Sequence, residues 1–322
     1  GATRTMKTIR KMLLTMLLAT PVVTAGEFVW IEEDGTTVEP ASLLNEAVRE
    51  SHLGFPDDDN GPGTLMIWRN SDGNGGGPDL QAPLVTDRPD FTEASSTVGR
   101  GVVQLEAGYT FMMDKEGTEK VHEHSGGEPL IRWGMGADWL ELRFALLPTT
   151  RSTDDGSGWR TVGGTEDLYL GAKLGLTPQD CHFPEMAIIL QSTVPTGSNE
   201  FTSDETLPGF NLIYAWEVND KISLAGSTQA NRRLDDGTNQ AYVEVAQSVA
   251  VGLGLSDHIG LYTEWFALMP NGADTAEVEH YFNGGFTLLL SNDVQFDIRA
   301  GHGLNQASDD FFAGIGLSVR FR

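Results

Sequence analysis

The chain has 322 residues, with 21 Lys+Arg against 46 Asp+Glu, 38 Gly and one Cys. A formal net charge of −25 argues against a nucleic-acid partner, which needs clustered Lys and Arg, and the lone Cys181 rules out an internal disulfide framework or a multi-cysteine zinc site. No stretch after residue 25 approaches the ~20 apolar residues of a membrane-spanning helix, but a β-barrel stays open because its strands need only every second side chain apolar.

In chain order, Met6–Lys11 is basic, Met12–Ala19 is apolar and Val22-Val23-Thr24-Ala25 ends on a small residue. This is the three-part form of a secretory signal, predicted over residues 1–25 with Gly1–Thr5 upstream of it. Residues 26–84 read as an acidic periplasmic leader, mostly disordered, with one amphipathic helix over Ala41–His52. Asp57–Gly63 and Ser71–Pro78 are too rich in Gly, Asp and Pro for packed structure. Asn70-x-Asp72-x-Asn74-Gly75 has the opening spacing of a calcium loop. Gln81 stands where the closing bidentate Glu should be, so the stretch reads as a solvated linker.

Residues 85–322 form the third unit, and from Val102 the pattern has period two. Val103, Leu105, Ala107, Tyr109 and Phe111 alternate with Gln104, Glu106, Gly108 and Thr110; Val294, Phe296 and Ile298 alternate with Gln295, Asp297 and Arg299. Side chains of a strand point to opposite faces in turn, so each segment has one apolar and one polar or small face. Twelve strands are predicted: 101–113, 120–135, 138–147, 165–176, 185–194, 206–218, 221–231, 239–254, 258–268, 276–290, 293–302 and 309–321. Short connections (Gly136-Ala137, Asn219-Asp220, Ser256-Asp257, Ser291-Asn292) alternate with longer polar ones (Pro148–Gly164, Pro195–Glu205, Arg232–Thr238, Pro270–Thr275). Thr177–Pro184 breaks the alternation.

A soluble β-sandwich also alternates along its strands. These strands are long for a sandwich and suit a tilted span of ~9–11 residues. Trp133, Trp216 and Phe321 fall near strand ends, where aromatic girdles sit. The fold class is therefore read as all-β, an antiparallel transmembrane barrel of about twelve strands with its apolar faces toward outer-membrane lipid. That choice sends Glu106, Arg132, Glu141, Arg143, Asp167, Lys173, Glu217, Glu244, Glu264, Glu277, Glu279, Asp297, Arg299 and Arg320 inward. They are candidates for lining the lumen and setting selectivity, or for an ion-pair network that nearly closes it.

Thr86-Asp87-Arg88-Pro89-Asp90-Phe91-Thr92-Glu93-Ala94-Ser95 precedes Gln104-Leu105-Glu106-Ala107-Gly108-Tyr109. Farther on come Gly164-Thr165-Glu166-Asp167-Leu168-Tyr169-Leu170-Gly171 and Val194-Pro195-Thr196-Gly197. From about Thr86 to Phe321 the chain resembles the outer-membrane transporter family named for the meta-pathway of phenol degradation. The resemblance implies a β-barrel passing small organic, often aromatic, solutes. Outer-membrane barrels commonly present a terminal aromatic residue to the assembly machinery; here Arg322 follows Phe321. Asp87, Arg88, Asp90 and Glu93 lie just before the first strand and could pair with Arg132, Arg143 or Arg320 as a periplasmic plug or latch. The alternative is a turn that only starts the barrel.

Catalytic signals are weak. There is no Gly-x-Ser-x-Gly elbow and no His-Glu-x-x-His helix. His122 and His124 share a strand face without a third ligand at matching spacing; His258, His280 and His302 are isolated, and His280 falls on the lipid face. Ser248 and His280 lie on opposite faces, so a phospholipase pair is not expected. The expectation is a non-enzymatic channel, needing no cofactor or metal, for passive passage of small, hydrophobic or aromatic solutes. A structural or surface-interaction barrel with a closed lumen is the alternative.

Overall fold

The computed structural model describes residues 20–24, 27–31, 37–38, 63–65 and 78–322 apart from 181. The apolar core of the predicted signal, the Ala41–His52 helix, the calcium-like Asn70–Gly75 stretch and Cys181 lie outside the described residues. β1 (Thr20–Thr24), at the end of the predicted signal, pairs antiparallel with β2 (Glu27–Ile31), which pairs with β3 (Thr37–Val38).

The period-two segments become the wall of a closed barrel. Its strands are β4 (Val103–Glu116), β5 (Glu119–Gly134), β6 (Leu140–Ala145), β9 (Leu168–Thr177), β10 (Glu185–Val194) and β11 (Leu207–Asn219). They continue with β12 (Ile222–Leu234), β13 (Ala241–Gly254), β14 (Ile259–Asn271), β15 (Glu279–Ser291), β16 (Val294–Gly303) and β17 (Phe311–Phe321). Neighbours pair antiparallel, and β4 bonds to β5 on one side and β17 on the other, so no edge is left. Among the described residues no helix is long and apolar enough to cross a membrane.

One predicted loop is a correction. Pro148–Gly164 folds into a hairpin of β7 (Pro148–Asp154) and β8 (Trp159–Thr165), with β7 continuing β6 and pairing with the outer half of β5. Its Thr and Ser residues hide the apolar alternation, but β-branched Thr149, Thr150, Thr153, Thr161 and Val162 suit a pleated ladder, and Pro148 stands first, where no ladder N–H is needed. β5 also bulges: Glu128 and Pro129 together oppose the single Ala107 of β4, one residue more than the ladder needs, and Gly127 takes a φ of 77°.

The faces are inverted relative to a water-soluble protein. Arg132, Lys173, Glu106, Glu141 and Asp297 are 0% exposed, whereas Leu290 is 59% and Phe286 51% exposed. Apolar side chains turned outward on strand after strand are favourable only against hydrocarbon. Strand ends joined by Asn219-Asp220-Lys221 and Asn292-Asp293 share one end of the barrel with Val103 and Phe321; by the habit of outer-membrane barrels this is the periplasmic end.

Candidate functional site

Residues 78–102 do not simply approach the first strand. They run into the barrel from the periplasmic end and back out. At that end Leu84 N–H donates to the Asn292 carbonyl and the Arg320 guanidinium to the Ala82 carbonyl (both from 2.7 to 2.8 Å). Deeper, Thr86 Oγ1 accepts from Gln295, and Pro89 O accepts from Arg299 at 2.9 Å. The return limb descends past β9, β10 and β6: Ala94 O accepts from Lys173, Ser95 donates to Glu185, and Val98 N–H donates to Glu141.

The charges of this segment meet those of the wall. Asp87 lies 2.5 Å from Arg143, 2.9 Å from Lys173 and 3.2 Å from Arg132. Arg132 and Arg143 each reach Glu141 at 2.9 Å, Arg132 reaches Glu106 at 3.0 Å, and Arg143 reaches Glu93 at 2.5 Å. Glu106 accepts the N–H groups of Asp87 and Arg88. Such a buried network holds only when nearly every charge is matched. Burial alone would raise the Asp87 pKa, but Arg132, Arg143 and Lys173 outweigh it and hold the carboxyl well below the usual carboxylate range.

Arg88 sits in a notch. Its guanidinium reaches Glu128 at 2.6 Å, Asp297 at 3.4 Å and the Ile315 carbonyl at 3.1 Å. Gly108 and Gly316 stand opposite each other across β4 and β17, and a Cβ on either would collide with Arg88. Only hydrogen at these two positions leaves room. On the far wall, Glu264 accepts the N–H groups of Phe91 and Thr92 (both 2.7 Å) and Asn283 Nδ2 (2.8 Å), while Thr92 Oγ1 meets Ser248 Oγ at 2.6 Å. Asp90 has its pKa raised well above the ordinary value by burial and then by the Glu264 carboxylate.

Phe91 stacks on Phe266 (4.4 Å, 5°), which stacks on Tyr281 (4.7 Å, 18°), and Phe312 lies across Tyr281 (6.1 Å, 70°). These rings step from the tip of the segment toward the outer mouth. Two lumenal cavities flank the tip. The periplasmic one, about 390 Å³, is lined by small residues such as Ser223, Ala225, Ala250 and Gly252; the outer one, about 340 Å³, by Glu93, Glu106, Glu128, Gln191 and Gln229. Arg88, Pro89 and Asp90 line both.

The remaining sequence candidates scatter. Asp167 lies between strands and ties two outer loops, accepting from Thr196, Gly197 and Ser203; burial works against it, but Ser203 and its neighbours hold its pKa at about 2. Glu244 pairs with Arg233 at 3.2 Å, Glu279 accepts from Tyr281, and Arg320 pairs with Asp293. Glu217 is exposed beside the inner cavity, and Glu277 is exposed in the loop before β15. Asp297 and Arg299 do not bond to each other; they take Arg88 and Pro89 instead. Ser248 faces inward against Ser227, whereas His280 faces outward beside Trp265. Among the described residues no cluster of three His, Cys, Asp or Glu could hold a metal.

Asn211, which donates to Glu93 at 2.8 Å, and Asn283 were missed by sequence reasoning although each falls on the inward phase of its strand, and Ser248 was weighed only against His280. Glu128 was hidden because the bulge shifts the phase there.

Solved structures with this architecture include the COG4313 outer membrane channel from Pseudomonas putida F1. It is 15% identical, with 73% of this chain and 99% of that one covered and a TM-score of 0.57. The translocator domain of the autotransporter NalP from Neisseria meningitidis is 12% identical over 68% and 88%, with a TM-score of 0.46. The CymD monoaromatic hydrocarbon channel is 9% identical over 68% and 88%, with a TM-score of 0.38. No curated protein matches. The family model for the putative MetA-pathway of phenol degradation matches residues 86–321, and the chain belongs to that family.

Proposed function

We propose that the protein is a passive outer-membrane channel for small apolar or aromatic solutes, exported by its N-terminal signal, and that the segment around Asp87–Glu93 is its plug. The observation that carries this is the ring ladder Phe312, Tyr281, Phe266 and Phe91, which runs down the lumen and ends at the partition between two cavities. Stacked rings receive a flat apolar solute at low cost in orientation, while the facing charges are engaged with one another. Each cavity falls in the size range of small-molecule sites. Passage then requires the Arg88–Asp90 tip to shift, and no bond in the solute changes.

The engagement of the tip by buried charges favours a closed, structural barrel as the second reading. Planar bilayers and liposome swelling separate the two. The channel reading expects conductance steps and faster entry of aromatic than of sugar solutes, with Phe266→Ala lowering the aromatic advantage several-fold. Silent bilayers together with impermeant liposomes would establish the closed barrel. Turnover of phospholipid by the pure protein would overturn the non-enzymatic reading.

A further inference from the structure

The outer wall carries a second feature that solute passage does not use. Thr263, Gly284, Ala300, Ala313 and Phe111 stand in one row across β14, β15, β16, β17 and β4, each the ladder partner of the next. All five belong to the outward phase. The row below is Leu261, Phe286, Ile298, Ile315 and Tyr109, and Trp265 and Phe282 stand above. Small residues between two bulky shoulders leave a groove of about 690 Å³, open to the hydrocarbon side. Four inter-strand steps make it ~19 Å long, and strand tilt sets it oblique to the membrane plane.

Above one end of the groove the β4–β5 hairpin separates its charges by face. Outward stand Tyr109, opposite Gly126, and then Phe111, Met113 and Lys115, opposite His124, His122 and Lys120 in turn; inward stand Asp114, Glu116, Glu119 and Glu123. His122 packs on Trp159 (4.7 Å) and Phe111 (5.7 Å), and His124 Nδ1 meets Tyr109 Oη at 2.6 Å. Lys115 and Lys120 are exposed and directly opposite, an arrangement that repels unless an anion lies between them. Asp154, opposite Lys120 on β7, turns to the N–H groups of Gly156 and Gly158 instead. In a chain of net charge −25, cations gathered on the lipid-facing side of one rim call for an anionic partner there.

We propose that this wall seats one phosphorylated lipid of the outer leaflet, with an acyl chain in the Thr263–Phe111 groove and a phosphate on Lys115, Lys120 and His122. Ammonium and imidazole N–H groups donate to phosphate oxygens, and the aromatic shoulder lies at headgroup level.

The test uses the full chain in detergent and native mass spectrometry, with diphosphoryl lipid A and its dephosphorylated form as probes. A one-lipid adduct is expected, with the phosphorylated form favoured at least tenfold. K115Q/K120Q/H122N should abolish that preference while leaving the barrel folded, as judged by heat-modifiable gel migration. Ala313→Trp, which fills the groove, should weaken both forms. Equal occupancy by the two probes, a preference that survives the triple variant, or a dimer in place of the lipid adduct would each overturn the proposal. If Ala313→Trp fails to fold, the rim variant decides alone. Conductance is not read, so the outcome is independent of the channel proposal.

Discussion

The two sides of the lumen treat the same segment differently. The wall of β4, β5, β6 and β9 supplies Glu106, Arg132, Glu141, Arg143 and Lys173, all buried and all joined to one another or to Asp87 and Glu93. The wall of β12–β14 supplies Ala225, Ala250 and Gly252, and it meets the segment through Ser248, Glu264 and the ring of Phe266. Charges clamp one side, whereas small side chains leave volume on the other. For the channel proposed above, the contrast teaches that a plug need not be loose to allow passage: in that reading it is anchored where the wall is ionic, and the path lies where the wall is small.

The sharpest way to break this contrast is at the anchor. Asp87→Ala leaves Arg132, Arg143 and Lys173 short of one negative charge in a buried site, a loss on the order of 3–5 kcal/mol when one partner of such a network is removed. Single-channel recording is expected to show a conductance several-fold above wild type, with a lower unfolding midpoint in denaturant. An unchanged conductance would mean that the segment does not limit flow. Because the Asp87 pKa is lowered in the docked state, its contribution is complete above the ordinary carboxylate value of ~3.9 and fades only as pH falls through the docked value.

Gly316→Val is expected to act next most strongly. Its side chain would occupy the space of the Arg88 guanidinium and push the tip away from Glu128 and Asp297, with Asp87 still in place. A conductance rise of about two- to threefold is expected, smaller than for Asp87→Ala because the ionic wall still holds the return limb. Double-mutant additivity checks this: well-separated anchors add, and coupled ones do not.

A smaller and reversible effect should come from pH. Asp90 is shared by both cavities and faces Glu264, Asp87 and Arg299. Its docked pKa is raised, so the docked tip binds the proton more tightly than the released one. The resulting stabilisation is full below the ordinary carboxylate pKa and is lost as pH rises through the docked value. Conductance is therefore expected to grow with pH in wild type and to stay low and flat in Asp90→Asn. A bilayer titration showing the same slope in both would remove Asp90 from the account.

Much of the barrel was legible because membrane strands obey a strict rule. Each spans the bilayer with alternate side chains in hydrocarbon, so Val294 to Arg299 could be read one residue at a time. The inward charges followed from the same phase. What the sequence hid were departures from that phase. Gly126–Pro129 shifts the register of β5 and so concealed Glu128, while the Thr-rich β7–β8 hairpin, laid along the outer half of β5, carries no apolar alternation to read. Partners were also beyond reach. Asp87 could be expected to meet Arg132 or Arg143, but nothing in the spacing pointed to Lys173, because closure of the barrel, not sequence proximity, brings them together.

The outer loops sharpen the comparison at its smallest scale, since their clamps use backbone amides in place of opposite charges. Asp235 accepts from Thr275 Oγ1 (2.6 Å) and from the N–H groups of Thr275, Asp274, Ala276, Gly237 and Thr238, joining the β12–β13 loop to the β14–β15 loop. Hydrogen bonds from Thr275 first, then from its neighbours, pull its pKa below the ordinary range. Asp235→Asn keeps the size but gives up the charge that the converging N–H groups favour, and no lumenal charge is touched. Mean conductance should stay within wild-type error, while open-channel noise and protease cleavage near Gly272 rise. A drop in mean conductance would show that these loops, and not the tip at Arg88–Asp90, bound the narrowest part of the path.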